Sequence, residues 1–173
     1  MRFLSLCFIG ALLVSCGAAV TVDYDEQIDF SQYQSYNYFP DIESGLNQLD
    51  DKRIMQATDS ILQSRGFVKS ETPQILINFF AKEFLSNSRN TIGIGIGSGG
   101  RNVGVGVSGG IPIGGKVINQ SLTVDFINAS NDALVWQAMV DGEFKEKANP
   151  AQREAYYLNV LAKALKKYPP RKK

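Results

Sequence analysis

Histidine is absent from this 173-residue chain, and cysteine occurs only twice. Without histidine the chain lacks the commonest general base and the commonest metal ligand, which counts against an enzyme and against a metal centre. Neither charge sign dominates. The formal net charge is +1, so there is no broad basic field to collect nucleic acid and no acidic one to repel it. Long apolar runs are also missing beyond Phe3 to Val14, which is too short to span a bilayer as a helix. No paired-acid motif suggests hydrolytic chemistry. Catalytic residues, metal and cofactor are all expected to be absent. What remains is 44% hydrophobic and 20% charged, the make-up of one ordinary globular domain.

The first residues are built for targeting. Met1 and Arg2 form a short positive start, Phe3 to Val14 an apolar core, and Leu13-Val14-Ser15-Cys16-Gly17 its end. That ending resembles the bacterial lipobox, where a lipoprotein signal peptidase cuts before a lipidated cysteine. The resemblance implies a signal peptide over residues 1–15 and membrane attachment through lipidated Cys16. Gly17, Ala18 and Ala19 follow, with no aspartate of the inner-membrane-retention kind, which implies the outer membrane with the domain facing the periplasm. Cys7 leaves with the leader, so no intramolecular disulfide can form, and acylation consumes the one remaining thiol. Losing Arg2 leaves basic and acidic side chains equal in number, so lipid rather than charge would hold the domain to its membrane. The tether of residues 16–19 reaches on the order of 10 Å.

Alternation of apolar and polar residues predicts strands at Val20–Glu26, Ser35–Phe39, Gln74–Phe84, Ile118–Asn128 and Ala133–Phe144, with a short one at Phe67–Val68. Ile54, Ala57, Ile61 and Leu62 recur at helical spacing within Asp50–Arg65, and Gly66 stands where a helix C′ glycine belongs. Asn149-Pro150-Ala151-Gln152 reads as an N-cap, a proline at the first helical position and a glutamine at N3. The helix it opens runs to the Pro169-Pro170 stop. The order β-β-α-β, hairpin, β-β-α predicts an α+β domain over residues 20–170: an antiparallel sheet with two helices packed on one face.

FSQYQSYNYF (Phe30 to Phe39), LQSRGFV (Leu62 to Val68), LTVDFINASNDALVWQA (Leu122 to Ala138) and KYPP (Lys167 to Pro170) resemble the bacterial lipoproteins grouped as domain of unknown function 4136. Tyr33, Tyr36, Gly66, Asp125, Trp136 and the final prolines carry the likeness. It implies an envelope lipoprotein with an α+β domain and supplies no catalytic residues.

The glycine-rich stretch Thr91 to Lys116 holds most of the chain's glycines. It matches G-x-G-x-x-G twice and G-x-x-x-x-G-K once, but phosphate binding needs a helix immediately after the loop, and poor helix formers follow each match. Three β-branched residues per strand are too few for a transmembrane strand. A β-hairpin over 91–116 fits best, with Ile96 facing Val103, Ile94 facing Val105 and Ile92 facing Val107. Gly93, Gly95, Gly104 and Gly106 would then form a side-chain-free face open to close approach by another backbone.

Function is expected to be a non-enzymatic accessory or interaction module of the cell envelope, with an envelope protein as partner and no nucleic acid. The alternative is a periplasmic protein binding a small ligand or glycan by stacking on Tyr33, Tyr36 and Trp136. Against it, the aromatic run Phe30 to Phe39 and Trp136 more often read as strand residues filling a core. Asp23 and Asp25 are candidates for a weak Ca²⁺ site, set against a solvated strand face. The basic C-terminal end, from Lys163 onward, is read as a solvated helix end or a contact for anionic headgroups.

Overall fold

A computed structural model of the chain describes residues 19–87, 91–93, 110–112 and 115–170. Eight strands and two helices follow in chain order: β1 (Val20–Tyr24), β2 (Ser35–Tyr38), α1 (Gln48–Ser64), β3 (Val68–Lys69), β4 (Ile75–Asn87), β5 (Thr91–Gly93), β6 (Gly110–Pro112), β7 (Lys116–Asn128), β8 (Leu134–Lys145) and α2 (Pro150–Leu165). Six strands form one sheet in the order β1-β8-β7-β4-β2-β3, and β5 pairs with β6 separately.

The expected α+β architecture is present, but the sheet is mixed rather than antiparallel. β4, β7, β8 and β1 pair antiparallel, whereas β2 runs parallel to both β3 and β4. The reason is the connection: α1 carries the chain from the end of β2 back to the start of β3, and such a crossover returns the chain in the same direction.

Local signals set both helices. Asn47 caps α1 by accepting from the N–H groups of Leu49 and Asp50, and Gly66 follows its end at φ +88°. Asn149 and Gln152 form a complete capping box on α2, with Pro150 in the first turn. The helices lie parallel and side by side. Near their starts, Arg153 and Arg53 reach the buried Asp50 carboxylate at 2.6 and 2.7 Å. Near their ends, Arg65 donates to the carbonyls of Leu165 and Tyr168 at 2.6 and 3.1 Å. Parallel helices align their dipoles unfavourably; a carboxylate at the paired N-termini and a guanidinium at the C-termini offset this.

The core fills the space between these helices and one sheet face. Leu122, Val124 and Phe126 of β7, Trp136, Ala138 and Val140 of β8, and Ile75, Ile77 and Phe79 of β4 meet Ile54, Leu62, Tyr157, Leu161 and Leu165. A one-residue bulge in β8 opposite Phe126 and Ile127 lets adjacent Val135 and Trp136 both be buried, which strict alternation would forbid. Tyr168 closes one end, with its ring against Phe126, Trp136 and Phe30. At the other end Gly142 leaves room for Tyr156. A Cβ there would sit 2.6 Å from the Tyr156 hydroxyl oxygen.

Candidate functional site

The sheet's second face is bare of described helices, and the strand registers dictate what it displays. Asp23 pairs with Gln137, Gln137 with Asp125, and Asp125 with Asn78. Side chains directly opposite share a face, so carboxylate, amide, carboxylate and amide line up across four strands. The next row is Thr21, Met139, Thr123 and Phe80, and beyond it come Asp141, Ser121 and Lys82.

Asp125 is the buried member of the first row, 8% exposed on the central strand β7. Gln137 Nε2 donates to its Oδ1 at 2.8 Å. Burial raises its pKa above the ordinary carboxylate value, and the Gln137 hydrogen bond partly counters this. Such a row can exchange hydrogen bonds with a planar polar partner, since it offers carboxylate acceptors beside amide donors. A shallow pocket lined by Asp23, Tyr24, Asp25, Leu134, Trp136 and Gln137 adjoins its β1 end.

The stacking candidates lie elsewhere. Tyr33, Tyr36 and Trp136 are 5%, 1% and 0% exposed, so no ring face is open to a sugar. Tyr33 and Trp136 both belong to the aromatic core around Phe30 and Tyr168. The Tyr33 hydroxyl accepts from Asn128 at 3.1 Å, and burial raises its pKa despite that bond. Tyr36 points to α1 and donates to Asp59 Oδ1 at 2.8 Å. Tyr38 Oη lies 2.8 Å from both that oxygen and the Met55 carbonyl, and its one proton serves one of them at a time. Burial, then the Asp59 carboxylate, push both tyrosines well above their ordinary pKa. Lys69 completes the group by donating to Asp59 Oδ2 at 3.1 Å. These groups tie β2 and β3 to α1 and are explained by packing.

Asp23 and Asp25 are engaged locally. Each accepts from a nearby backbone N–H at 2.9 Å, Tyr24 and Gln27 respectively, and β1 ends before Asp25, so they are not successive positions on one strand face. Among the described residues no three aspartate, glutamate, histidine or cysteine side chains converge to hold a metal. Of the basic C-terminal end, Lys167 donates to the Val20 carbonyl at 3.1 Å.

Cys16, Gly95, Gly104 and Gly106 lie outside the described residues. Gly93 is in β5, opposite Gly110 rather than Gly106, and Ile92 faces Ile111 rather than Val107. The shift is four residues. An even shift keeps every side chain on its own face, so a strand alternating glycine with β-branched residues specifies its register weakly.

The polar row was not assembled from the sequence. Asp125 was visible only as a landmark of the family likeness, and its polar position within LTVDF was the single signal available. Its neighbours Asn78, Gln137 and Asp23 are set by pairings that span up to 114 residues of chain.

An α+β domain with one helix-covered sheet face and one bare of described helices is thus defined. The chain belongs to the family Domain of unknown function (DUF4136), whose sequence profile matches residues 20–170. A search of curated proteins found no match. Among solved structures, a PDZ domain protein from Parabacteroides distasonis superposes with a TM-score of 0.55 at 16% identity, over 91% of this chain and 36% of that one. The chain therefore spans little more than a third of that protein, and the likeness is one of fold. A PelC dodecamer from Paraburkholderia phytofirmans gives a TM-score of 0.47 at 13% identity, covering 84% of this chain and 98% of that one.

Proposed function

We propose that the chain is a lipid-anchored outer-membrane lipoprotein, held by Cys16 and facing the periplasm, that serves as a non-enzymatic interaction module of the envelope. The observation that carries the interaction reading is the helix-free face, where a polar row centred on Asp125 lies beside Met139 and Phe80. A sheet that buries one face under two helices and carries no described helix on the other presents a broad, preformed platform. The glycine-rich hairpin over 91–116, with Gly93, Gly95, Gly104 and Gly106 on one side, extends the same role as a close-approach surface for an envelope partner.

Two measurements test this. Cys16→Ala should abolish both processing and membrane attachment, read by fractionation and intact mass; a variant still mature and membrane-bound defeats the anchoring. A photocrosslinking residue at Met139, on the bare face, should capture an envelope protein that one at Leu158, exposed on α2, does not. Equal capture from both positions, or none, defeats the docking face.

A second reading, a periplasmic protein binding a small ligand or glycan, is favoured by the pocket beside Asp23 and Gln137. Saturable shifts of the Gln137 side-chain amide on titration with soluble glycan fragments would support it over the first.

A further inference from the structure

The outer edge of β4 is open where its neighbours end. β2 covers only Ile75, Leu76 and Ile77 of β4. Beyond it, Phe39 N–H donates to the Ile77 carbonyl at 2.9 Å, and Ala81 N–H donates to the Ser44 carbonyl at 2.8 Å. These two bonds fix the parity of the strand. Odd-numbered residues direct both backbone groups outward, and even-numbered ones direct them to β7. Glu83, Leu85 and Asn87 therefore present three N–H and three C=O groups at the edge. Among the described residues no backbone group pairs with them; the Asn87 carbonyl accepts only a long side-chain bond from Ser86 Oγ at 3.5 Å. Phe84 and Leu85 beside them are 63% and 50% exposed. Charged residues that commonly guard such an edge occur only at its inner end, as Lys82 and Glu83.

The sheet's other edges offer less. β3 has two residues and β1 five. β8 past Asp141 presents outward only Glu143 and the Lys145 N–H, because the Lys145 carbonyl accepts from Ala148.

We propose that this edge pairs with the same edge of a second copy of the chain, antiparallel about a two-fold axis at Leu85. The segment is complementary to itself in that register. Leu85 faces Leu85 of the second copy, Phe84 faces Ser86, and the Glu83 carboxylate faces the Asn87 amide. All six outward backbone groups are then bonded. Sliding by one register, to place Phe84 opposite Phe84, would set Asn87 against Ala81, whose N–H already serves Ser44, and two groups would lose their partners. Sliding by two would set Glu83 against Glu83, a like-charge pair directly opposite. An axis perpendicular to the sheet keeps the helices of both copies on one side and joins the two bare faces. The two Phe84 rings become diagonal neighbours at about 7 Å, within aromatic reach.

The test uses the full chain in its membrane or in detergent. Leu85→Cys places two thiols on an antiparallel hydrogen-bonded pair with Cα atoms ~5.5 Å apart, within disulfide range. Under mild oxidation it should form a disulfide dimer at least about tenfold faster than Met139→Cys, which is similarly exposed but away from the edge, with the parental chain giving the background from its own cysteines. Equal rates, or a faster reaction for Phe84→Cys, would overturn the proposed pairing. Leu85→Lys, at an exposed position, should melt like the parent and sediment as a monomer where the parent sediments as a dimer. A parent that is monomeric at every concentration, or a Leu85→Lys variant that stays dimeric, would overturn it as well.

Discussion

Ala138 and Met139 are consecutive residues of β8, yet one is fully buried under the helices and the other is 43% exposed. The same contrast holds for whole faces of the sheet. The covered face is continuous hydrocarbon and aromatic ring, and of its buried polar atoms Trp136 Nε1 and the Tyr168 hydroxyl go without a partner while others are paired. Gln120, 2% exposed, is among the paired: its amide nitrogen donates to Glu83 at 2.6 Å and to the Tyr157 hydroxyl at 3.2 Å, and its oxygen accepts from Tyr156 at 3.3 Å. The face bare of described helices alternates polar and apolar rows, with Thr123 and Asp125 at its centre 3% and 8% exposed and Met139 beside them 43% exposed.

The largest effect should follow from damage to the covered face. Phe126→Ala removes a ring 4.9 Å from Trp136 and 4.5 Å from Tyr168, and should cost about 3–5 kcal/mol in urea denaturation. A loss below about 1 kcal/mol would mean that this face is not the seat of stability.

Gly142→Val probes the contact between α2 and the sheet. The Tyr156 ring cannot simply swing away, because it packs against Phe144 at 4.6 Å and Tyr157 at 5.2 Å. Overpacking here should cost about 1–3 kcal/mol. Its neighbour Glu143, on the bare face, should accept valine within about 0.5 kcal/mol.

Asp125→Asn sharpens the contrast through pH. A buried carboxylate whose native pKa is raised holds its proton more tightly in the folded than in the unfolded chain. Its contribution to stability is therefore full below the ordinary carboxylate value, declines as pH rises through the raised native value, and is constant above. Denaturation midpoints measured from acid to neutral pH should lose that decline in Asp125→Asn, which can still accept from Gln137. An unchanged profile would show that Asp125 is not the group responsible.

The smallest effect is expected from Met139→Ser, within about 0.5 kcal/mol in thermal melting. If the bare face docks a partner, the same substitution should weaken capture while leaving the fold intact.

What the sequence by itself determined is local. The capping box at Asn149 and Gln152, the glycine after α1 and the strand alternation around Leu122, Val124 and Phe126 each act within a few residues, so they could be read directly from their spacing. The α+β class followed from their order, and asparagine, proline and glycine signals placed the helix ends closely. Only the tertiary structure decided that β2 would run parallel to β4 and that Asp23, Gln137, Asp125 and Asn78 would share one row. These depend on which strands become neighbours and in what register. The deciding contacts, such as Arg65 with the Leu165 carbonyl, join residues about a hundred positions apart. Side-chain periodicity specifies a face for each strand, but not the strand that will lie beside it.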